Sequence, residues 1–305
     1  MTITYITHPD CLEHDTGPGH PESAARLWAI EDALRASRLE LALVRVDAPS
    51  ASDEQLLRVH SAAYLEQLAA AIPDHGLRWL APDTPVGPRS LDAARRAAGA
   101  CVHGVDLLLD GVTPEVFCAV RPPGHHAGRD GAMGFCLFNN VAVGAAQALV
   151  RGVRRVAIAD FDVHHGNGTE DIFAGDPRVL LCSVFQHPFY PYSEPGSAHA
   201  NIVKVPLPAG SDGAALAAAV ERHWLPALEA FAPELLLISA GFDGHIEDDL
   251  AQWLLQESDY GWLTGVLRGV ARRHAQGRIL SVLEGGYALH ALGRSVVAHL
   301  RALLA

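Results

Sequence analysis

The sequence predicts an α/β fold built on a parallel sheet of about eight strands, with helices over both faces. Three observations carry that expectation. Short apolar runs alternate with longer segments of helical period along the 305 residues. The runs are apolar throughout rather than alternating, as strands buried on both faces are. No Ser/Gly/Pro-rich linker, charge block, low-complexity tract or internal repeat divides the chain, so residues 1–305 read as one domain.

In order, TITYIT (2–7) is the first strand, and TGPGHPES supplies turn residues and a cap for a helix over 22–37. LALVRV (41–46) follows, then a helix over 53–72. The Pro-rich APDTPVGPRS (81–90) reads as a loop before a helix over 90–110. VFCAV (116–120) runs into RPPGHHAG, and a helix over 138–151 leads to RVAIAD (155–160), VLLCSV (179–184) and NIVKVPL (201–207). A helix over 213–231 precedes ELLLISA (234–240), one over 257–275 precedes ILSVLE (279–284), and the last covers 289–303.

Composition narrows the class. The formal charge is −12, from 35 acidic and 23 basic side chains, and Lys204 is the sole lysine. An acidic surface disfavours non-specific nucleic-acid binding and tolerates cationic substrates. Five scattered cysteines with no C-x-x-C argue against a disulfide framework or a thiolate metal site. The N-terminal MTITYITHPD lacks the basic region and apolar core of a signal peptide, and no run of about 18 apolar residues exists. The expectation is a cytoplasmic protein with no membrane or nucleic-acid partner.

In parallel sheets, ligands bind beyond the carboxyl ends of strands. Four predicted strands end in chemically loaded loops: VFCAVRPPGHH, RVAIADFDVHH, LLLISAGFD and ILSVLEGGY. Residues two apart on an extended chain share a side, about 6–7 Å apart, so Asp160, Asp162 and His164 face one way if the extended conformation persists past Ala159. Carboxylates buried that close repel unless a cation compensates. Zinc suits such ligands, with Asp243 of SAGFDGH as a third from another strand end. An isolated D-x-D-x-H would equally suit a solvated loop; the other three endings tip the balance. Adjacent His125 and His126 after a rigid Pro-Pro-Gly turn suggest a general acid/base pair. Tyr287 of LEGGYAL, beside a metal, could donate to a developing oxyanion. GFCLFNN (134–140) begins a buried helix or, through Phe135, lines an apolar channel. Together these suggest a metal-assisted hydrolase of the acyl-transfer type.

From GHPESAARL (19–27) through RPPGHHAG, GFCLFNNVAVGA, DFDVHHGNGTEDIF, SAGFD and EGGY, the chain resembles the histone deacetylase superfamily, particularly its class II-like bacterial amidohydrolases. The resemblance implies a three-layer α/β/α arginase/deacetylase-type fold with a parallel sheet of about eight strands. It implies zinc on Asp162, His164 and Asp243, with the metal lowering the pKa of its water toward about 7. It further implies His126 as general base, His125 sharing the proton traffic, Asp160 orienting His125, Asn167 facing His126, and Tyr287 as oxyanion donor. The substrate channel would hold Gly134, Phe135, Tyr190 and Leu250, with Phe189 as the alternative to Tyr190. Asp83 could contact substrate backbone. Where polyamine-selective relatives carry a glutamate, this chain has Leu250, which favours acyl-lysine, although Glu247, Asp248 and Asp249 stand close by. Potassium would sit on carbonyls of Asp160, Asp162, His164, Ser183 and Val184, with Phe173 and Val179 contributing to a second site. HPESAARL departs from the HPE-x-P form, which bears on a helix start and on no catalytic residue.

The implied reaction is removal of acetyl or another acyl group from acyl-lysine, with acetylpolyamine or another small acylated amine as the alternative substrate. A ureohydrolase of the same fold would need a two-metal D-A-H-x-D site, which DFDVHHG is not. A silent acyl-lysine binder should have lost a histidine or the tyrosine, and this chain keeps His125, His126 and Tyr287.

Overall fold

The computed structural model describes residues 2–305. Eight strands form one sheet: β1 (Ile3–Thr7), β2 (Leu43–Asp47), β5 (Glu115–Cys118), β6 (Val156–Asp160), β7 (Val179–Gln186), β8 (Ile202–Leu207), β9 (Leu235–Ala240) and β10 (Ile279–Leu283). Their order is β2-β1-β5-β10-β9-β6-β7-β8, and every neighbouring pair is parallel. Each predicted strand is present. Central strands such as β6 and β9 are buried at every position, whereas edge strand β2 is half exposed. That difference is what two covered faces require.

The helices form two layers. On one face α1 (Ala25–Ala36), α9 (Glu257–His274) and α10 (Leu289–Leu304) pack side by side. On the other, α4 (Ser90–Leu109) and α5 (Asn140–Val150) pack together over β5, β6 and β9. One apolar cluster runs through both interfaces.

Three departures from the sequence reading have local causes. The helix expected over 53–72 is two, α2 (Asp53–Leu56) and α3 (Ala62–Ala71). Ser52 closes a capping box with Gln55, and Ser61 caps a second start by accepting from the Tyr64 amide. Between them His60 is drawn inward, its Nδ1 donating to the Gly128 carbonyl and its Nε2 accepting from the Asn139 amide. The helix over 213–231 runs as α7 (Gly213–Ala219), a wide π turn (Val220–Trp224) and α8 (Leu225–Phe231). Pro226 has no N–H to give, and the turn before it loosens. Thirdly, part of the Pro-rich loop belongs to an antiparallel hairpin, β3 (Arg78–Ala81) with β4 (Thr84–Val86), whose tip carries Asp83.

Lys204 lies on β8 with its side chain only 3% exposed and its Nζ 2.9 Å from Glu170 Oε2. Glu170 belongs to α6 (Asn167–Phe173), a short helix the sequence reading did not separate from the metal loop. Among the described residues, no helix is long and apolar enough to cross a membrane.

Candidate metal centre and active-site cavity

Sheet order explains why the four loaded loops meet. They follow β5, β10, β9 and β6, which are consecutive in the sheet. β6 ends at buried Asp160, whose Oδ1 accepts from the Asp162 amide at 3.2 Å. Asp162 Oδ1 in turn accepts from the His164 amide (2.8 Å) and lies 3.1 Å from His164 Nδ1. Its Oδ2 accepts from the Gly285 amide at 2.8 Å. Asp243, beyond β9, receives the Val163 amide on Oδ1 at 3.1 Å. Its buried Oδ2 lies 3.2 Å from His164 Nδ1 but has no well-aligned hydrogen-bond donor.

Ligand atoms of Asp162, His164 and Asp243 therefore fall within 4.8 Å of one another. Both carboxylates are fully buried, and the cationic groups paired with them are imidazoles. Burial and the facing Asp162 charge push the Asp243 carboxyl upward. Against burial, the two carboxylates raise His164. This is a donor set short of positive charge, and a divalent cation on two oxygens and one nitrogen fits it. Gly241 and Gly285 back the set closely: a Cβ on Gly241 would strike Asp162 Oδ2, and one on Gly285 would strike Asp243 Oδ2.

The tandem histidines stand beside this cluster, their ring centroids 4.0 Å apart. His125 Nδ1 donates to Asp160 Oδ2 at 2.9 Å. His126 Nδ1 is 2.7 Å from Asn167 Oδ1, an acceptor, so Nδ1 carries the proton and Nε2 the lone pair. Their proton affinities diverge. Burial lowers both, but Asp160 and Asp162 overcome it at His125 and raise it to about 10. At His126 burial prevails, reinforced by the charges of His125 and His164, and its pKa falls well below the ordinary value. Gly134, at φ 56°, leaves the room this ring occupies, since a Cβ there would run into it.

A cavity of about 190 Å³ opens onto His126 and His164. Gly134, Phe135, Tyr190 and Leu250, the expected channel residues, all line it, as do Tyr287, Phe189 and Asp83. Phe189 stacks on His164 at 5.5 Å, while Tyr190 meets His126 edge-on at 5.3 Å, so both candidates for the second wall belong to it. Phe135 meets Tyr287 edge-on at 5.8 Å. The Tyr190 hydroxyl is buried without a well-aligned hydrogen-bond partner, and burial together with the Asp83 charge raises its pKa. Asp83 Oδ1 accepts from the Gly134 amide at 3.2 Å, tying the hairpin tip to the channel.

The acids beside Leu250 face elsewhere. Glu247 is exposed and pairs with Arg294 at 2.6 Å, and Asp249 is exposed. Asp248 turns inward onto backbone amides. Of this stretch, Leu250 lines the cavity.

A histone deacetylase domain profile matches residues 20–303. The chain is 39% identical over 305 residues to the Pseudomonas aeruginosa histone deacetylase-like amidohydrolase, covering 91% of this chain and 79% of that one. The chain belongs to the histone deacetylase family. An uncharacterized Synechocystis protein, slr0245, is 44% identical over 99% of both chains. The crystal structure of the HDA15 HD domain superposes with a TM-score of 0.92 at 32% identity, covering 99% of this chain and 90% of that one. The fold is thus the arginase/deacetylase type, and the family is one of deacetylating amidohydrolases.

Several residues of this deacetylase-family site carried no assigned role in the sequence reading. Glu284 Oε2 accepts from the Gly124 and His125 amides (2.7 and 3.1 Å), fixing the tandem histidines from below. Burial pushes its carboxyl up to about 7 while the His125 charge and the amides pull it down. Arg121 grips Glu22 through Nε (2.6 Å) and Nη2 (2.8 Å), and Glu22 also holds Arg26 at 3.2 Å. Arg26 donates to the carbonyls of Gly286 and Glu284 and lies 4.9 Å over the Tyr287 ring. All four sit inside the quoted motifs as ionisable residues, but their burial and their partners are visible only in the structure.

Of the carbonyl groups expected to take potassium, those of Asp160 and Ser183 lie in register on β6 and β7. Ser183 Oγ faces His165 Nδ1 at 2.9 Å. The Phe173 and Val179 carbonyls converge with that of Asp176 on Asn201 Nδ2, which donates to all three at 2.8–3.1 Å.

Proposed function

We propose that the protein is a zinc-dependent deacylase of the cytoplasm that removes acetyl, or another acyl group, from the side-chain amine of acyl-lysine. One observation carries the reading: His164 of the Asp162–His164–Asp243 cluster lines the same cavity as His126 and Tyr287. Zinc held by those three side chains would polarise the amide carbonyl and acidify water.

The protein's own groups divide the remaining work. His126 Nε2, unprotonated and facing the cavity, removes the proton of the attacking water. His125, held charged by Asp160, stabilises the negative charge that builds beside it and completes the proton traffic as the amine leaves. Two imidazoles whose environments drive their pKa values apart are suited to such paired roles. The Tyr287 hydroxyl donates to the amide oxygen as it gains charge. Phe135, Phe189 and Tyr190 enclose a lysine's aliphatic stem and exclude water. Asp83 at the mouth can accept from substrate backbone. Leu250 offers an approaching second ammonium no counter-charge, which favours acyl-lysine over acetylpolyamine.

The test is amine release by the zinc-reconstituted protein from an acetyl-lysine peptide and, in parallel, from an acetylpolyamine. Faster turnover of the peptide, abolished by chelation, is expected. Turnover of the polyamine alone would keep the reaction and overturn the substrate. Inactivity toward both and toward a longer-acyl panel would leave a binding module.

A further inference from the structure

Tyr287 stands on a weak support. The two residues before it are glycines, and Gly286 has φ 122°, a conformation L side chains rarely adopt. Nothing in such a segment fixes where the phenol points. The surroundings do so from two sides. Arg26 takes the carbonyls of Glu284 and Gly286. Opposite in polarity, Asp248 takes amides: its Oδ2 accepts from Tyr287 N at 2.6 Å and Ala288 N at 3.0 Å. Its Oδ1 accepts from Leu250 N at 3.1 Å. One carboxylate, 4% exposed, thus holds the tyrosine hinge and the channel wall together.

We propose that Asp248 is a positioning residue for the reaction, setting the place of the Tyr287 hydroxyl through the main chain and locking it to the Leu250 wall. The inference rests on Tyr287 being the oxyanion donor. Its physical basis is that three N–H groups need an acceptor with two charged oxygens. An asparagine has one acceptor oxygen, and its NH₂ would face a donor. A displacement of about 1 Å in a catalytic group can cost about 10²-fold in rate. Glu247 and Asp249 cannot substitute, because the first pairs with Arg294 and both are exposed.

The experiment is a double-mutant cycle on the zinc-loaded protein, with Asp248→Asn and Tyr287→Phe alone and combined. Asp248→Asn should lower kcat about 10- to 10²-fold while KM and zinc stoichiometry hold. In the Tyr287→Phe background the same change should cost less than about threefold, because no phenol remains to be misplaced. Equal losses in both backgrounds would overturn the proposal and leave the oxyanion donor standing. Full activity of Tyr287→Phe would overturn both. Ala288→Pro is the second probe should Asp248→Asn not fold: Ala288 has φ −73°, which proline accepts, and the ring replaces one donor and pushes the carboxylate off the hinge while its charge is kept. Its kcat loss should likewise vanish without the phenol, and persistence there would count against the proposal. In zinc-free protein, Asp248→Asn should speed hydrogen exchange at the 287 and 288 amides about tenfold or more, as loss of a charged acceptor implies. Unchanged exchange would mean the carboxylate does not hold the hinge.

Discussion

Asn167 leaves the two imidazoles free to differ. Its neutral oxygen orients His126 without adding charge, so burial is left to depress that ring's pKa. Replacing it with aspartate places a negative charge at the same spot, favours the imidazolium and raises the His126 pKa. A general base must be unprotonated, so the acid limb of the kcat/KM–pH profile in Asn167→Asp should move to higher pH. An unmoved limb would take His126 out of the base role. At this scale the sequence was most informative where side chains meet side chains. Asp162, His164, Asp243, His125 and His126 announce themselves by type and spacing, and the structure gathers them within one cluster. Asp248 and Glu284 do not, because the partners that give them their roles are distant backbone amides, those of Tyr287 and Ala288 for Asp248 and those of Gly124 and His125 for Glu284. No residue-type pattern records a carboxylate whose task is to hold backbone.

Among the elements, the central strands were legible because burial on both faces leaves them almost wholly apolar. The β3–β4 hairpin was not. Its first strand leaves Arg78 and Trp79 exposed, and its second is three residues with a central proline. The break between α2 and α3 hangs on one serine hydroxyl and one inward histidine. Joining the N-terminal segment to the sheet is a buried ionic chain from Arg121 through Glu22 to Arg26. Burial would raise the Glu22 carboxyl, yet Arg121 and Arg26 prevail and hold it at about 2. A carboxyl depressed in the folded state stabilises above its unfolded pKa of about 4.3. That contribution should disappear as pH falls from there through about 2. Glu22→Gln, which leaves two arginines buried without their anion, should cost about 3–5 kcal/mol by denaturant unfolding near neutral pH.

For the molecule as a whole, the decisive fact is strand order. Any of several orders would satisfy the same eight apolar runs, and the one adopted makes β5, β10, β9 and β6 neighbours. Convergence of the four loops could be expected from the sequence; their adjacency is set by the strand order, which the sequence does not display. Two predictions belong here. Asp243→Ala should lose stoichiometric zinc by metal analysis, and the Tm gain on adding zinc should shrink with it, since binding to the folded state alone is what raises Tm. Zinc at full occupancy in that variant would refute the ligand set. Leu250→Glu, which adds an anion at the cavity wall, should shift kcat/KM toward acetylpolyamines over an acetyl-lysine peptide, and an unchanged ratio would place the selectivity elsewhere.

Lys204 bears on the company such a protein keeps. The sole lysine of the sequence is enclosed and paired with Glu170. On the proposed reading, a deacylase of amines thus displays no ε-amino group of its own to be acylated. Reactive acyl donors should leave Lys204 unmodified on the folded chain, and a neighbouring copy would find no acyl-lysine on it to hydrolyse.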